Sequence, residues 1–229
     1  MLGYKRYYTG RTVLLQQVYL KGAQNYTMEK IQEELLVNLP KTARGRETLN
    51  RICQAAEQLF AEKGYYETAI NDITSLAKVG AGTFYIYFES KLALYRYILS
   101  QSGTRIRKHL SKAVAHCTSR REIEREGLRA WLEFVTENKY VFNITWESLF
   151  IDKNLFDEYY ATFSNAYAGR LKEAQEAGEI KDIDLEVLSF ALMGLSNFLG
   201  LHWAIFKEGK DMDYVVDEAM KFIDGIFPA

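Results

Sequence analysis

The distribution of proline constrains the fold of this chain more than any other feature. The only two prolines, Pro40 and Pro228, leave 187 consecutive residues without one, so nothing there interrupts a long helix. The strict alternation of apolar and polar residues that marks half-buried strands is absent from the sequence. One segment, 140–146, fits a strand or a helix and stays open. The sequence therefore predicts an all-α protein.

Apolar residues at three- and four-residue steps predict the individual helices. The first runs from about Arg46, and Gly64 stands where a glycine commonly ends a helix. Ser90 is a good N-cap for a long helix that extends to about residue 116. A short helix capped by Thr27 is expected to run to about Val37. The other helices are predicted at 69–76, 80–87, 121–137, 140–151, 155–177, 184–206 and 212–226, with Gly178 and Gly209 as stops.

Charge is distributed unevenly along the chain, although the net charge is only −1. Residues 41–112 carry 12 Lys/Arg and 6 Asp/Glu, whereas residues 113–229 carry 12 Lys/Arg and 21 Asp/Glu. A basic segment joined to an acidic body indicates a polyanionic partner for the basic segment. A chance distribution of solvated charge is the alternative.

Two short helices around a tight turn, at 69–76 and 80–87, predict a helix-turn-helix, whose second helix can enter the major groove of DNA. The runs FAEKGY (60–65), ITSLAKVGAGTFYIYF (73–88) and ESKLAL (89–94) resemble the DNA-binding domain of the TetR family of transcriptional regulators. The resemblance covers about residues 46–98.

This resemblance implies a three-helix DNA-binding domain followed by a helical domain for ligand binding and dimerisation. We expect an N-terminal extension over 1–40, the helix-turn-helix domain over 41–92 and the helical domain over 93–229.

Within the helix-turn-helix, Phe84 and Phe88 are four residues apart and are expected to face the core together with Val79. Lys78 replaces the family's usual glycine in the turn and is expected to have a positive φ. Ala69 replaces the family's usual threonine, so we expect the N-cap of the helix at 69–76 to shift to Thr68. The residues expected to contact DNA are Arg44, Arg46, Thr68, Lys78, Gly80, Ala81, Gly82, Thr83, Tyr85, Tyr87 and Lys91.

Large apolar side chains are abundant in the second half, and in a helical bundle most of them fill core. The resemblance implies that some line an effector pocket. Because few charges lie within these apolar faces, we expect a small apolar or aromatic effector. Acyl chains, acyl thioesters and amphipathic drugs all fit. The residues expected to line the pocket are Trp131, Phe134, Trp146, Phe150, Phe163, Tyr167, Phe190 and Phe198.

The segment 185–206 is long and apolar enough to span a bilayer. Its internal polar residues and acidic flanks favour instead a helix buried on nearly every side in a soluble protein. The resemblance implies that the last two helices form a homodimer with a second copy. The residues expected at the interface are Leu192, Leu195, Leu199, Val216, Met220, Ile223 and Phe227.

Catalytic motifs are absent, and neither Cys53 nor Cys117 has metal-ligand spacing, so we expect no enzyme, no metal and no cofactor. The predicted function is that of a cytoplasmic, sequence-specific DNA-binding regulator of transcription, a repressor by the family's commoner mode, released from its operator by the effector. The alternatives are a membrane-associated helical protein and an all-α enzyme. The sequence leaves open the operator, the effector, the direction of regulation and whether residues 1–27 belong to the native product.

Overall fold

The computed structural model describes residues 32–207 and 211–228, and those residues form helices with no strand among them. The ambiguous segment 140–146 is helical. Residues 32–34 are helical and residues 35–37 are not, so the helix expected to reach Val37 ends earlier than predicted; its start from Thr27 and the stop expected at Gly209 lie outside the described residues. The helices are α1 Ala43–Glu67, α2 Ile70–Leu76, α3 Ala81–Tyr87, α4 Lys91–Ala113, α5 Arg120–Glu137, α6 Lys139–Ile151, α7 Lys153–Glu176, α8 Leu185–Leu199 and α9 Met212–Ile223.

The helix boundaries follow local signals in the sequence. Ser90 caps α4 as predicted, because its Oγ accepts a hydrogen bond from the Ala93 amide at 3.1 Å. Gly64 (φ 80°) kinks α1 where an end was predicted, and one more helical turn follows it. Gly178 (φ 74°) follows the end of α7. Both glycines adopt a left-handed backbone conformation that other residues avoid.

Helices α1–α3, which we call the head, share a core with the first turns of α4. Phe84 and Phe88 are fully buried in this core, as predicted, and Val79 packs against it. Leu36 is buried in the same core, and the Val37 amide donates a hydrogen bond to the Tyr87 carbonyl at 2.9 Å. The extension expected over residues 1–40 is therefore not separate at its C-terminal end, because Leu36 contributes to the head.

Helices α4–α9 form the body, in which α9 packs on α5. Arginines at four-residue spacing along α5 pair with aspartates along and just after α9, at N–O distances of 2.5–2.6 Å. Each such exposed pair contributes less than about 1 kcal/mol, so the apolar contacts beneath them provide most of the stability. The three pairs are Arg121–Asp224, Arg125–Asp217 and Arg129–Asp213.

Helix α8 continues into a π-helical segment, Gly200–Phe206, and the whole stretch of 22 residues is long and apolar enough to cross a membrane by length and composition alone. Only 28% of its most apolar window is buried. The expectation that this stretch is buried on nearly every side is therefore wrong for the isolated chain.

Most of the expected dimer-interface residues face the interior of the protomer. Leu192, Val216, Met220 and Ile223 are each at most 7% exposed and belong to one core cluster between α5, α7, α8 and α9. Leu195, Leu199 and Phe227 are half-buried against the same cluster. The apolar stripe that the sequence shows on α9 packs onto the body, so it is not available to a second copy.

Candidate DNA-reading head and ligand cavity

The turn between α2 and α3 presents α3 on the surface of the head. Lys78 has the predicted positive φ of 53°. On α3, Tyr85 is 54% exposed, and the neighbouring Thr83 is half-buried. A side chain added at Gly80 or Gly82 would meet no atom of the protein within 4 Å. The exposed residues among the expected DNA contacts are Arg44, Arg46, Lys78, Gly80, Ala81, Gly82 and Tyr85.

Two of the expected DNA-contact residues are buried within the head. Thr68 is fully buried, and its hydroxyl donates to the Gly64 carbonyl at 2.7 Å. The N-cap of α2 is Ala69, whose amide donates to the Asp72 carboxylate at 3.3 Å, so the cap expected at Thr68 is wrong. Tyr87 is 7% exposed and donates its hydroxyl hydrogen to a backbone carbonyl of α1 at 3.1 Å. Their hydroxyls are occupied inside the protein and are not presented to DNA.

Lys91 is half-buried and joins α4 to the end of α1. Its ammonium donates to the carbonyls of Tyr65 at 2.6 Å and Thr68 at 2.7 Å, and it lies 4.3 Å from the centre of the Tyr65 ring. Burial lowers the pKa of the Lys91 ammonium, and the charges of Glu147 and Glu67 oppose that change. Lys91 therefore holds the head to α4, in place of the phosphate contact that we expected.

A cavity of about 230 Å³ lies in the body between α4, α5, α6, α7 and α8. Three of the residues expected to line it lie outside its wall: Phe150, Phe190 and Phe198 are 77%, 42% and 63% exposed. Helix α8 presents Leu192, Met193, Ser196 and Asn197 to the cavity, whereas Phe198 lies outside the wall with its ring centre 6.1 Å from that of Trp146. The five expected residues that do line the cavity are Trp131, Phe134, Trp146, Phe163 and Tyr167.

One end of the cavity is lined by charged side chains that the sequence reasoning missed. Arg107, Arg120 and Arg170 all line the cavity, with Glu124 as the single carboxylate. The Arg170 guanidinium donates to Ser111 Oγ on α4 at 3.4 Å, and Arg120 donates to the Arg170 carbonyl at 3.5 Å, so these two arginines are joined, and Arg107 lies one helical turn before Ser111 on α4. Three positive charges against one negative charge make this end of the cavity cationic.

Arg120 and Glu124 form a buried ion pair in the cavity wall. Their side chains are 4% and 7% exposed, and Arg120 Nε donates to Glu124 Oε1 at 2.7 Å. The Tyr167 hydroxyl donates to the other oxygen of Glu124. Burial raises the pKa of Tyr167 well above its ordinary value, and the charge of Glu124 adds to the effect. Tyr167 therefore stays a neutral donor to the carboxylate.

Replacing Arg120 by alanine is expected to lower the free energy of unfolding by about 3–5 kcal/mol, because it leaves the charge of Glu124 buried without its partner. The control is Arg121→Ala, which removes an exposed ion pair to Asp224 and is expected to cost less than about 1 kcal/mol. Urea unfolding measures both values. Equal losses in the two variants would contradict the assignment of Arg120 and Glu124 as a buried pair.

Helix α6 contacts the head on one face and the cavity on the other. On the head side, the Glu147 carboxylate accepts a hydrogen bond from the Tyr65 amide at 2.6 Å, directly after the kink at Gly64. A side chain at Gly64 would lie 2.8 Å from the same carboxylate oxygen and would displace it, and the φ of 80° itself favours glycine. On the cavity side, α6 contributes Val141, Phe142, Thr145 and Trp146 to the wall.

An exposed stripe follows the outer face of α8 and its π-helical continuation. Val187 is 65% exposed and Phe198 63%, and a side chain at Gly194, between them on this face, would meet no atom within 4 Å. We call this stripe the α8 face. Its residues are Val187, Ala191, Gly194, Phe198, His202 and Ile205, of which Gly194 and Ile205 are half-buried and the others are exposed.

Known proteins that resemble this chain are helix-turn-helix regulators of transcription. The model of the bacterial regulatory proteins of the tetR family matches residues 52–98. An HTH-type transcriptional regulator from the lacX 3′ region of Lactococcus lactis subsp. lactis is 31% identical over 117 residues, which are 49% of this chain. The match spans only 58% of the length of that relative.

Solved structures of TetR-family regulators share the fold of about three quarters of this chain. A putative TetR-family transcriptional regulator from Syntrophomonas wolfei superposes with a TM-score of 0.69 at 21% identity, covering 78% of this chain and 94% of its own. The transcriptional regulator FadR from Bacillus subtilis, solved in complex with stearoyl-CoA, superposes with a TM-score of 0.66 at 19% identity, covering 76% and 96%.

The exposed α3, the tight turn before it and the helical body behind it define a helix-turn-helix regulator of transcription. Residues 52–98 match the bacterial regulatory proteins of the tetR family, and the relatives that resemble this chain are HTH-type regulators of transcription.

Proposed function

We propose that the protein is a cytoplasmic, dimeric repressor that leaves its operator when an amphipathic ligand with an anionic group occupies the cavity. The observation that carries this proposal is the position of α6, which lines the cavity with one face and bonds to the head with the other. A ligand that moves α6 therefore acts directly on the head.

The DNA-contacting surface in this proposal is the exposed side of α3 with the basic residues near it. Tyr85 and Thr83 reach base edges or phosphates, and Arg44, Arg46 and Lys78 neutralise phosphates. The open space at Gly80 and Gly82 supports a close approach of the DNA backbone to the start of α3, because nothing inside the protein requires glycine at either position.

The partner of the α8 face in this proposal is a second copy of the chain. The face is apolar apart from His202, and small residues at 191 and 194 permit close packing of helices. A bilayer is the alternative partner by length and composition. The basic head on the same chain favours a second copy over a bilayer, because a helix-turn-helix regulator places two heads on two half-sites of one duplex.

The ligand in this proposal combines an apolar body with an anionic head group. The aromatic part of the cavity, with Trp131, Phe134 and Phe163, suits an alkyl chain or ring system. The arginine cluster of Arg107, Arg120 and Arg170 suits a carboxylate or phosphate. The stearoyl-CoA complex of the FadR from B. subtilis, which has the same fold, supports an acyl thioester as one such ligand.

The ligand class is tested with probes that share a dodecyl chain and differ in head group: dodecanoyl-CoA, dodecanoate and dodecyltrimethylammonium. Tryptophan fluorescence reports binding, since Trp131 and Trp146 line the cavity. Arg170→Glu is expected to weaken binding of dodecanoyl-CoA about tenfold, as a lost charge-assisted hydrogen bond would. The control, Lys172→Glu on the same helix, changes an exposed residue outside the cavity wall and is expected to have no effect.

Release of the operator is tested with the same probe by measuring each affinity in the presence of the other partner. If dodecanoyl-CoA weakens operator binding tenfold, operator must weaken dodecanoyl-CoA binding tenfold, a coupling of about 1.4 kcal/mol. Equal binding of the cationic and anionic probes would contradict the head-group assignment. Tight binding without any change in operator affinity would contradict the coupling.

A further inference from the structure

The C-terminal end of α3 is held by residues that precede α1 in the chain. The Asn38 side-chain amide donates a hydrogen bond to the Ile86 carbonyl at 2.7 Å, and the Val37 backbone amide donates to the Tyr87 carbonyl at 2.9 Å. The last carbonyls of a helix have no partner within it. Residues 36–38, which we call the clasp, supply two of the missing donors for α3.

The clasp is itself fixed to the head. Leu36 is 6% exposed and packs in the core that also contains Phe84 and Phe88. After the clasp, Pro40 lies close to Gly45, where an added side chain would be 3.4 Å from the proline ring. The chain thus passes from a core anchor, across the end of α3, to the first turn of α1.

Helix α3 depends on such contacts because it is intrinsically weak. It has only seven residues, its N-cap Gly80 has no side chain, and Gly82 disfavours helix by about 1 kcal/mol relative to alanine. Helices this short are not stable alone in water, so their position is set by packing. The inner side of α3 is fixed by Phe84, and its C-terminal end is fixed by the clasp.

We propose that the clasp sets the orientation of the DNA-reading helix, with Asn38 as a positioning residue that acts through α3 on sequence discrimination. This inference rests on the proposed role of α3 in contacting DNA. Exposed arginines and lysines hold phosphates on any duplex, whereas contacts to base edges need α3 at one fixed angle. Loosening the clasp therefore lowers affinity for operator and leaves affinity for unrelated DNA unchanged.

The test uses the full chain with Asn38→Ala, which removes the donor, and Asn38→Asp, which places a carboxylate against the Ile86 carbonyl. Asn50→Asp makes the same charge change at an exposed position of α1 and is the control. The readout is the ratio of affinities for the operator and for an unrelated duplex at one salt concentration. A general loss of folded protein would lower both affinities together, so it leaves this ratio unchanged.

Both Asn38 variants are expected to lower the ratio about tenfold, because one hydrogen bond is lost in each of two heads. Asn50→Asp is expected to keep the ratio of the wild type. An unchanged ratio in both Asn38 variants, or an equal loss on both duplexes, would overturn the inference while the proposed function stands. A wild-type protein with a ratio near one would overturn the proposed function and this inference with it.

Discussion

Phe198→Asp is expected to convert the dimer to monomers and to lower operator affinity about 100-fold or more. The side chain is 63% exposed at the middle of the α8 face, and a twofold dimer would bring two new carboxylates into one apolar interface. Burial of unpaired charge costs several kcal/mol, and a monomer loses the second half-site as well. Sedimentation at micromolar concentration measures the first effect, and titration of labelled operator measures the second.

The control for this variant is Phe150→Asp, which makes the same change at a side chain that is 77% exposed but lies on α6 and is not part of the α8 face. It is expected to remain dimeric and to bind operator as the wild type does. A Phe198→Asp protein that stays dimeric at micromolar concentration would contradict the α8 face as the interface. Ile223→Asp cannot make this distinction, because Ile223 is 5% exposed within the protomer core.

Tyr85→Ala is expected to reduce operator affinity about 30-fold or more without changing the fold. Tyr85 is 54% exposed on α3. Its ring packs edge-on against Phe84 with ring centres 5.3 Å apart, and this contact restricts the position of the Tyr85 ring and its hydroxyl. A specific contact contributes about 1–3 kcal/mol, and a dimer makes it twice. Fluorescence anisotropy on an operator duplex measures the loss.

Tyr66→Ala is the matched control for this second variant, since Tyr66 is a 65% exposed tyrosine of the head that lies outside α2 and α3. It is expected to bind operator within about twofold of the wild type, as surface substitutions usually do. If the two variants lose affinity equally, α3 has no special role in DNA binding.

The helices and the head could be predicted from the sequence because their signals are local. Caps and stops such as Ser90, Gly64 and Gly178 act within one turn, and the spacing of Phe84 and Phe88 fixes which side of α3 is buried. The positive φ of Lys78 was expected from the resemblance, because the family usually has glycine at this position of the turn. These features need no knowledge of distant parts of the chain.

The inner and outer faces of α8 could not be distinguished in the sequence. The stretch 185–206 is apolar nearly all round, so its periodicity does not show which side contacts the body. For this reason the predicted dimer interface contained residues of the inner face. The error on α9 has a different cause. Val216 and Met220 form a clear apolar stripe, but an apolar stripe has the same sequence pattern whether it packs in a protomer core or in a dimer interface.

The charged end of the cavity and the clasp were missed because both join segments that are far apart in the chain. Arg107, Arg120 and Arg170 come from three helices, and no short motif connects them. The signal that was available was Arg107 and Ser111 at four-residue spacing beside apolar positions of α4. For the clasp, Leu36 fitted the short helix expected to end near Val37, and only the fold brings Leu36 and Asn38 to the end of α3.

In the proposed mode of binding, a dimer of this chain contacts one DNA sequence through two copies of α3. The most direct measurement is repeated selection of bound duplexes from a random-sequence library with the full-length protein, followed by sequencing. We expect enrichment of one inverted repeat whose half-sites are centred about one turn of DNA apart, roughly 34–36 Å, and loss of this enrichment with Tyr85→Ala. A final pool with no enriched sequence, or a pool that Tyr85→Ala enriches equally well, would contradict it.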